Sequence, residues 1–492
     1  MNVNLGMRAH RCAKDVLGGH RESSLSGPSV CGQEVRLVRR VLCFACLVAA
    51  GATASCAAAV PDLDPVRDAA AAAGVADAIV FRDDAEPIEI AVPASPVLTI
   101  GDAVRAALQH DPSLQEALAL TRVALADANQ ARRWPNPILD VLFRFPPGGG
   151  KVEIDARLGT DVLTILQRPK RASAADHRLE AACAMAVAAT IDVIANVQAA
   201  YAHLQALDAE APVLQARVQA ADRLVALGQA RLAAGDGTQL DLAELDALRL
   251  QLALETVERG RQRAASRLLL LRLLGAPGAS PPFGLAPWQE PTALAATEEG
   301  LVAIALQRRP ELAAAKAEVQ ALGDDLDLAG LSWLAGAQLG AGTEREGAWS
   351  LGPLAALPLP LFDDGSTRQQ GVRAELLAAR HRATARGREI VQATRASMAD
   401  ARAAGARLAR VRQEVLPLQQ RRRALAEAAY RAGEADVGVV LRAEQDLRGA
   451  EGALLLLQRD LWLARIELER AVGGPDALAV AERQGRDGEE RP

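Results

Sequence analysis

Polar and apolar positions alternate along two pairs of short segments, one pair in each half of the chain. Apolar side chains fill every second position of residues 139–145, and charged side chains fill alternate positions of residues 151–157 and position 161. A period of two indicates strands that have one apolar and one polar face. The same design recurs later in the chain with smaller side chains. The sequence therefore predicts two β-hairpins, at about 138–162 and about 333–357.

Two interpretations of the first hairpin stay open. A half-buried hairpin of a soluble protein shows the same alternation and is its commoner source. In an exported protein, strands of about ten residues with one charged face also fit the wall of a membrane β-barrel around a water-filled lumen. Four strands cannot close a barrel, and lipid does not tolerate open strand edges, so several copies would share one barrel. The lumen side chains would then be Asp140, Arg144, Lys151, Glu153, Asp155 and Arg157.

Apolar and small residues follow a four-three spacing in the segments that flank the hairpins. A helix over residues 171–232 would be about 93 Å long, which favours helices packed as coiled coils. Pro212 and Pro417 lie inside these patterns and predict kinks or bends. The spaced positions are Leu214, Val218, Ala221, Val225, Gly228 and Leu232, and later Leu447, Ala450, Leu454, Leu457 and Leu461.

The chain is a tandem repeat. Residues 106–114 match residues 304–312, and three pairs of landmark residues share one spacing of 198 positions, namely Pro112 with Pro310, Gly235 with Gly433, and Gly275 with Gly473. Each half is predicted to contain a helix, two strands, a long helix, a tight turn and a returning helix. Thr99 and Asp102 predict a capped start of the first helix. Pro112 and Pro310 predict early interruptions in their helices.

Composition narrows the function. The chain has 492 residues, of which 50% are hydrophobic and only 3% aromatic, and its formal net charge is −5. Few aromatic residues suit closely packed helices better than a cofactor pocket. No basic run marks a nucleic-acid partner, the six histidines lack metal-ligand spacing, and no nucleophile elbow occurs. We therefore expect no enzyme, no catalytic residue, no cofactor, no metal site and no nucleic acid.

The N-terminal region indicates export. Three arginines precede a short apolar run at 41–50, and small residues lead from it to Cys56. This order is typical of a secretory signal. Two cleavage sites compete, because residues 52–54 suit ordinary signal peptidase, whereas residues 53–56 resemble a lipoprotein box that would place a lipid on Cys56. The residues before position 35 are poor signal material, so we expect translation to begin near residue 35.

Four short segments together carry a family resemblance. They are Ala103 to Leu114, Trp134-Pro135-Asn136-Pro137, Pro358-Leu359-Pro360-Leu361-Phe362 and Tyr430-Arg431-Ala432-Gly433-Glu434. Their order within a duplicated frame resembles the TolC-type outer membrane factors, the outer membrane efflux protein family. Members are exit ducts of bacterial tripartite efflux and type I secretion systems. The resemblance runs over about 97–474, and the Trp-Pro-Asn-Pro segment is most similar to members paired with heavy-metal or multidrug pumps of the resistance-nodulation-division class.

The resemblance implies a mainly α fold with a small β part, built from a duplicated unit of helix, hairpin and long helical hairpin. It implies a homotrimer in which an α-helical barrel joins a shared transmembrane β-barrel. The expected localisation is the cell outer membrane, in contact with its lipid and extending into the periplasm. The expected partners are a periplasmic membrane fusion protein and an inner-membrane pump.

The resemblance also assigns residues to the periplasmic end of the duct. Asp241 matches an acidic position near the family's constriction, while the family's second acidic positions fall on Val439 and Arg442. The gate prediction is therefore Asp241 and Arg442, with Arg442 pairing an acid such as Glu444 or Asp241. The tip residues expected to contact the fusion protein are Gly235, Asp236, Thr238, Gly433, Glu434 and Asp436.

These features predict a passive exit duct of a tripartite efflux system, with substrate driven by the pump. The alternatives are a periplasmic coiled-coil structural or adaptor protein, and a type I secretion duct of the same fold. The predicted organisation is a signal region 1–55, a linker 56–96, repeat one 97–275, a Pro/Gly-rich linker 276–296, repeat two 297–474, and a flexible charged tail 475–492.

Overall fold

The computed structural model describes most of the chain from residue 97 onward. The chain divides into two units, 1–59 and 60–492, and all described residues belong to the second. The signal region, Cys56 and Lys151 lie outside the described residues, so what was predicted for them stays a prediction. The described ranges are 97–145, 152–235, 238–278, 283–287, 296–346, 348–432 and 434–489, with residues 67, 77 and 79–82 before them.

The two repeats contain corresponding elements in the same order. Repeat one comprises β1 (Val97–Leu98), α1 (Ile100–His110), α2 (Pro112–Ala131), β2 (Ile138–Arg144), β3 (Glu153–Asp161), α3 (Val162–Ala233), α4 (Gln239–Leu273) and β4 (Gly284–Leu285). Repeat two comprises α5 (Glu298–Arg308), α6 (Pro310–Gly330), β5 (Gln338–Glu346), β6 (Ala348–Ala356), α7 (Ser366–Arg410), a π-helical segment (Val411–Val415), α8 (Leu416–Arg431) and α9 (Val437–Val472), and α10 (Pro475–Glu489) follows it.

The short first helices begin and end where the sequence predicts. The Thr99 side chain accepts a hydrogen bond from the Asp102 backbone N–H at 3.2 Å, which confirms the predicted cap. Asp111 ends α1 and caps α2, because its Oδ1 accepts from the N–H groups of Ser113 and Leu114. In repeat two Arg309 takes this place without a side-chain cap. Both interruptions at proline are confirmed, since each proline begins the second helix of its pair.

The four long strands form one antiparallel sheet in the order β2-β3-β5-β6. The two hairpins therefore join through β3 and β5, where Asp161 pairs with Gln338. β2 and β6 are the two edges of this sheet. A separate pair, β1 with β4, is parallel and links the start of repeat one to the segment that follows α4.

The helices bury two equivalent cores, one in each repeat. In repeat one, α1, α2, α3 and α4 meet around Leu108, Ile194 and Leu270. In repeat two, α5, α7 and α9 meet around Leu301, Ile390 and Leu468. Much of this buried surface is alanine, which allows helix backbones to approach closely. α3 is the one described helix long and apolar enough to cross a bilayer, but it packs against α2, α4, α6 and α9.

Residues Pro475–Glu489 form helix α10, whereas the sequence predicted a flexible charged tail over 475–492. Ala477 and Leu478 are buried in the core of repeat two. An ion pair of 3.2 Å joins Arg465 of α9 to Glu482 of α10. The apolar residues of α10 lie among many charged residues, so composition alone did not indicate a helix with an apolar face. Burial of one side of α10 fixes the segment to α9.

Three further features differ from what the sequence predicts. The second hairpin starts at Gln338 rather than near 333, because residues 332–334 form a 3₁₀ turn and Gly336 has a φ of +90°. Pro212 lies within the single helix α3, whereas the π-helical segment precedes Pro417. The expected linker 276–296 contains β4, whose strand pairs with β1.

Candidate functional site

The four-stranded sheet has two chemically different faces. Cross-strand partners in an antiparallel sheet point to the same side, so the register sorts every side chain. The row formed by Leu142, Asp155, Glu344 and Ser350 lies on one face. The adjacent row formed by Val141, Ala156, Thr343 and Leu351 lies on the other. The sheet therefore has a polar face and a mainly apolar face.

The charged side chains predicted to line a lumen do share the polar face. Asp140 pairs with Arg157, Leu142 with Asp155, and Arg144 with Glu153. Lys151 lies outside the described residues. That this face lines a lumen stays a prediction, but its members are brought together as the alternation requires.

Asp155 is the centre of the charge network on the polar face. Its side chain is only 12% exposed and accepts a hydrogen bond from the Arg157 guanidinium at 2.9 Å. Arg144 lies 3.8 Å from Asp155 and 4.0 Å from Glu344 of the second hairpin. Charged side chains of the two hairpins thus interact across the paired strands β3 and β5. Sequence reasoning missed Glu344, which only the strand order places beside Arg144.

The apolar face is exposed in the single chain. Leu139, Val141 and Phe143 of β2 project from it, as do Leu158 of β3 and Leu351 of β6. Such a continuous apolar surface is unusual on a water-soluble monomer. Near one end it carries Arg345, whose guanidinium lies 5.5 Å from the ring centre of Trp349. An aromatic residue and a cation at the end of a strand are typical of a membrane interface.

The polar face of the second hairpin consists mostly of small residues. Gly342 and Gly352 lie in the same cross-strand row as Asp140 and Arg157, and Gly340 lies beside Gly159. A Cβ added at Gly340 would lie 2.1 Å from the Leu158 carbonyl oxygen. Glycine is therefore required there for the close approach of β5 to β3.

The first helical tip is a tight turn between α3 and α4. Gly235 has a φ of +81°, a backbone conformation that favours glycine. Its N–H donates to the Leu232 carbonyl. Thr238 is exposed and immediately precedes α4. Asp236 lies outside the described residues.

The second helical tip joins α8 to α9. Glu434 is exposed and its N–H donates to the Ala429 carbonyl at 2.9 Å, while Gly433 lies outside the described residues. Asp436 accepts a hydrogen bond of 2.6 Å from the Arg231 guanidinium of α3. This ion pair connects the helical hairpins of the two repeats. Sequence reasoning chose Asp436 as a tip residue but missed Arg231, its partner 205 positions away.

The gate prediction is only partly described by the structure. Asp241 lies in the first turns of α4, but its side chain is outside what the structure describes. Arg442 is exposed on α9. Glu444, one predicted partner of Arg442, is engaged by Arg423 at 3.1 Å and by Arg448 at 3.0 Å.

A second charge cluster joins α3 to α6 next to the sheet. Lys170 lies 2.8 Å from Asp327 and 3.0 Å from Asp324, and these hydrogen bonds raise the pKa of the lysine ammonium. Burial opposes ionisation of Asp324, but hydrogen bonds from Ser173 and Lys170 outweigh it and lower the pKa of this carboxyl. Arg178 pairs with Asp325 in the same interface. Charges on both helices therefore fix the point where the sheet meets the long helices.

Comparison with known proteins agrees with this architecture. The family described as outer membrane efflux protein matches residues 301–474. The chain is 26% identical over 309 residues to the pyoverdine export outer membrane protein OpmQ of Pseudomonas aeruginosa. This match covers 58% of the chain and 62% of OpmQ, so the chain spans less than two thirds of the length of this curated relative. The chain is thus similar to outer membrane efflux proteins.

Solved structures of outer membrane channels share the fold of this chain. The outer membrane protein VceC of Vibrio cholerae is 21% identical with a TM-score of 0.63, and the match covers 76% of this chain and 96% of VceC. The open-state outer membrane channel MtrE of Neisseria gonorrhoeae is 17% identical with a TM-score of 0.62, covering 80% and 95%. The predicted resemblance and the mainly α fold with a small β part are thereby confirmed. The family and these neighbours are channel proteins.

Proposed function

We propose that this chain is the outer membrane channel of a tripartite efflux system, a passive duct through which an inner-membrane pump drives substrate. The observation that carries the proposal is the two-faced sheet joined to long helical hairpins. Its polar face suits a water-filled lumen and its apolar face suits lipid. The match of residues 301–474 to the outer membrane efflux protein family and the similarity to OpmQ support the same localisation.

The proposed assembly is a homotrimer. One chain supplies four strands whose edges, β2 and β6, have no described strand partner. Unpaired backbone groups are costly in hydrocarbon, so β6 of one copy would pair with β2 of the next until the sheet closes. Three copies give twelve strands, an even number within the range of bacterial barrels. The helical hairpins would close in the same way into a periplasmic tunnel.

The helical tips are the proposed entrance. Gly235, Asp236, Thr238, Gly433, Glu434 and Asp436 would meet a periplasmic membrane fusion protein. Opening requires the hairpins of the two repeats to separate, which breaks the ion pair between Arg231 and Asp436. Asp241 and Arg442 stay our proposed gate residues, one helical turn or more inside the tips.

Selection of the substrate is assigned to the pump in this proposal. The duct contributes a charged lumen at Asp140, Arg144, Glu153, Asp155 and Arg157, which conducts ions and solutes without a covalent step. A type I secretion duct would use the same channel fold with a different inner-membrane partner. Association with a pump complex and its fusion protein therefore distinguishes these two uses.

The decisive test combines mass and conductance. The protein is expressed with its native signal and recovered from outer-membrane fractions in mild detergent. The mass of the oligomer is measured, and its conductance is then recorded in a planar bilayer. We expect a trimer with discrete channels. The Asp155→Asn variant should form the same trimer but change the preference for cations over anions. A monomer or dimer released without detergent would contradict the proposal and favour a periplasmic coiled-coil protein.

A further inference from the structure

An exposed apolar segment lies between β6 and α7. We call residues 357–362 the β6 extension. Phe362 is fully exposed, and Leu359 and Leu361 are 74% and 75% exposed. Three large apolar side chains in water within four positions are a strong indication of a contact surface.

The β6 extension is held in a defined conformation. The Leu361 N–H donates to the Leu359 carbonyl at 2.8 Å, which forms a three-residue turn. At its far end, Asp363 Oδ1 accepts from the Gly365 N–H at 2.9 Å. Gly365 has a φ of +77° and packs so closely that an added Cβ would lie 2.2 Å from Ser332 Oγ. The apolar side chains are therefore presented to the outside by a fixed turn.

A matching surface lies at the opposite edge of the sheet. Trp134, four residues before β2, is 64% exposed. The Arg168 guanidinium lies 4.6 Å from its ring centre and donates through Nε to the Arg132 carbonyl at 2.7 Å. The tryptophan is thus held in place on the arginine side and has much of its ring surface open. We call Trp134 and Arg168 the aromatic platform.

Topology places both surfaces at the same end of the sheet. Ile138 begins β2 and pairs with Gly159, Gly159 pairs with Gly340, and Gly340 pairs with Leu354 near the end of β6. The platform precedes one edge strand, and the β6 extension follows the other. When β6 of one copy lies beside β2 of the next, adjacent strands are about 4.8 Å apart. The β6 extension of one copy then lies beside the platform of its neighbour.

We propose that the β6 extension of one copy docks on the aromatic platform of the next copy. This inference rests on the trimer of the proposed function and assigns a contact between its subunits. Phe362 would pack on Trp134 of the partner subunit, with Leu359 and Leu361 covering the ring edge. The charges agree, because Asp363 and Asp364 follow the extension, whereas the platform contains Arg168 and is directly preceded in the chain by Arg132 and Arg133. The platform is incomplete without the neighbouring copy.

Photocrosslinking tests the contact directly. The variant Phe362→p-benzoyl-phenylalanine keeps an aromatic side chain and is expressed full-length, illuminated in outer membranes and digested for mass spectrometry. We expect a covalent dimer in which position 362 is joined to residues 132–137 of a second chain. The variant Leu254→p-benzoyl-phenylalanine places the probe at another exposed position, on α4, and should give no link to residues 132–137. Trp134→Ala should remove most of the link from position 362.

The possible results separate the contact from the channel itself. A trimer that conducts ions, but whose position 362 links only to phospholipid or to another segment, would overturn the contact and leave the proposed function standing. A monomer without conductance would overturn both. As a second measurement, Phe362→Ala should lower the temperature at which trimers dissociate in detergent. Phe362→Tyr should restore that temperature, and Leu254→Ala should not change it.

Discussion

The connection from the last strand of each hairpin to the following long helix differs between the two repeats. In repeat one, β3 ends at Asp161 and α3 begins at the next residue, with the Asp161 side chain as its cap. In repeat two, nine residues separate β6 from α7, and the helix begins after Gly365 in a left-handed conformation without a side-chain cap. Both connections lie at the same end of one sheet.

The difference follows from the positions of the two strands. β3 has partners on both sides, so its connection has no further surface to cover and can turn directly into a helix. β6 is an edge, and its longer connection carries the exposed apolar side chains of the β6 extension. The additional residues occur at the connection that faces a neighbouring copy in our proposal. The two repeats keep the same order of elements. Their strand-to-helix connections differ because β3 lies inside the sheet and β6 lies at its edge.

A single charge introduced on the apolar face of the sheet should have the largest effect. Val141→Lys places an ammonium on the apolar face in mid-strand, where a lipid-facing lysine costs about 2–4 kcal/mol per copy. We expect loss of insertion into the outer membrane. Leu142→Lys, one residue away on the polar face beside Asp155, is the matched control and should insert normally. Equal insertion of both variants would show that the two faces meet the same environment.

Gly365→Val should break the junction of repeat two. A β-branched residue is strained at a φ of +77°, and its Cβ would collide with Ser332. We expect a destabilisation of about 2–4 kcal/mol, measured as the thermal unfolding midpoint in detergent. Gly371→Ala, within α7 and with open space around its Cα, should be neutral or slightly stabilising. A normal midpoint for Gly365→Val would mean that this junction adapts freely.

Asp161→Ala should weaken the junction of repeat one by a smaller amount. Asp161 Oδ1 accepts from the Thr164 N–H at 3.1 Å, and loss of such a cap costs about 1 kcal/mol. Asp161→Asn retains an acceptor and should restore most of the stability. Thermal unfolding of the three proteins at one pH measures the effect. An identical loss for the Ala and Asn variants would assign the effect to charge rather than capping.

The smallest effect concerns a difference between the two helical cores. Glu469 of α9 corresponds to the buried Leu271 in repeat one, 198 positions earlier. Burial raises the pKa of the Glu469 carboxyl, although Arg465 opposes the shift. A raised folded-state pKa contributes stability below the ordinary glutamate pKa, and this contribution is lost as the pH rises through the raised value. Charged Glu469 is therefore unfavourable near neutral pH.

Glu469→Gln should remove this dependence. We expect the unfolding midpoint to rise at pH 8 by no more than about 2 °C, with a smaller rise at pH 5. Glu467→Gln, an exposed neighbour, is the control and should show no comparable difference between the two pH values. A larger gain at pH 5 than at pH 8 would reverse the assigned direction of the pKa shift.

Local periodicity predicted the helices and strands, because these elements depend mainly on residues that are close in sequence. Alternation located the strands of β2 and β3, and prolines located the breaks between the short helices. The charge network of Asp155 with Arg144 was implied by alternation within one hairpin. The approach of Glu344 was not, because it depends on the pairing of β3 with β5. The ion pair between Arg231 and Asp436 was missed for the same reason, since packing alone brings the two tips together.

The π-helical segment, which lies just before Pro417, also escaped prediction. The Leu416 N–H donates to the Val411 carbonyl, five residues earlier. This wider turn sets Pro417 in a continuous helical path from α7 to α8. α3 contains Pro169 and Pro212 without such a turn. A proline therefore does not by itself require a π-helical turn.

The wider turn has a consequence for insertions and deletions. A π-helical turn holds one residue more than an α-helical turn. Deleting one residue within Val411–Val415 would convert this turn to α-helix and leave the faces of α8 in phase with those of α7. Deleting one residue in the middle of α3 would rotate all that follows by about 100° and turn its buried face outward. Among the described helices, the segment Val411–Val415 is thus a place where the length can change by one residue while α8 keeps the same faces toward its neighbours.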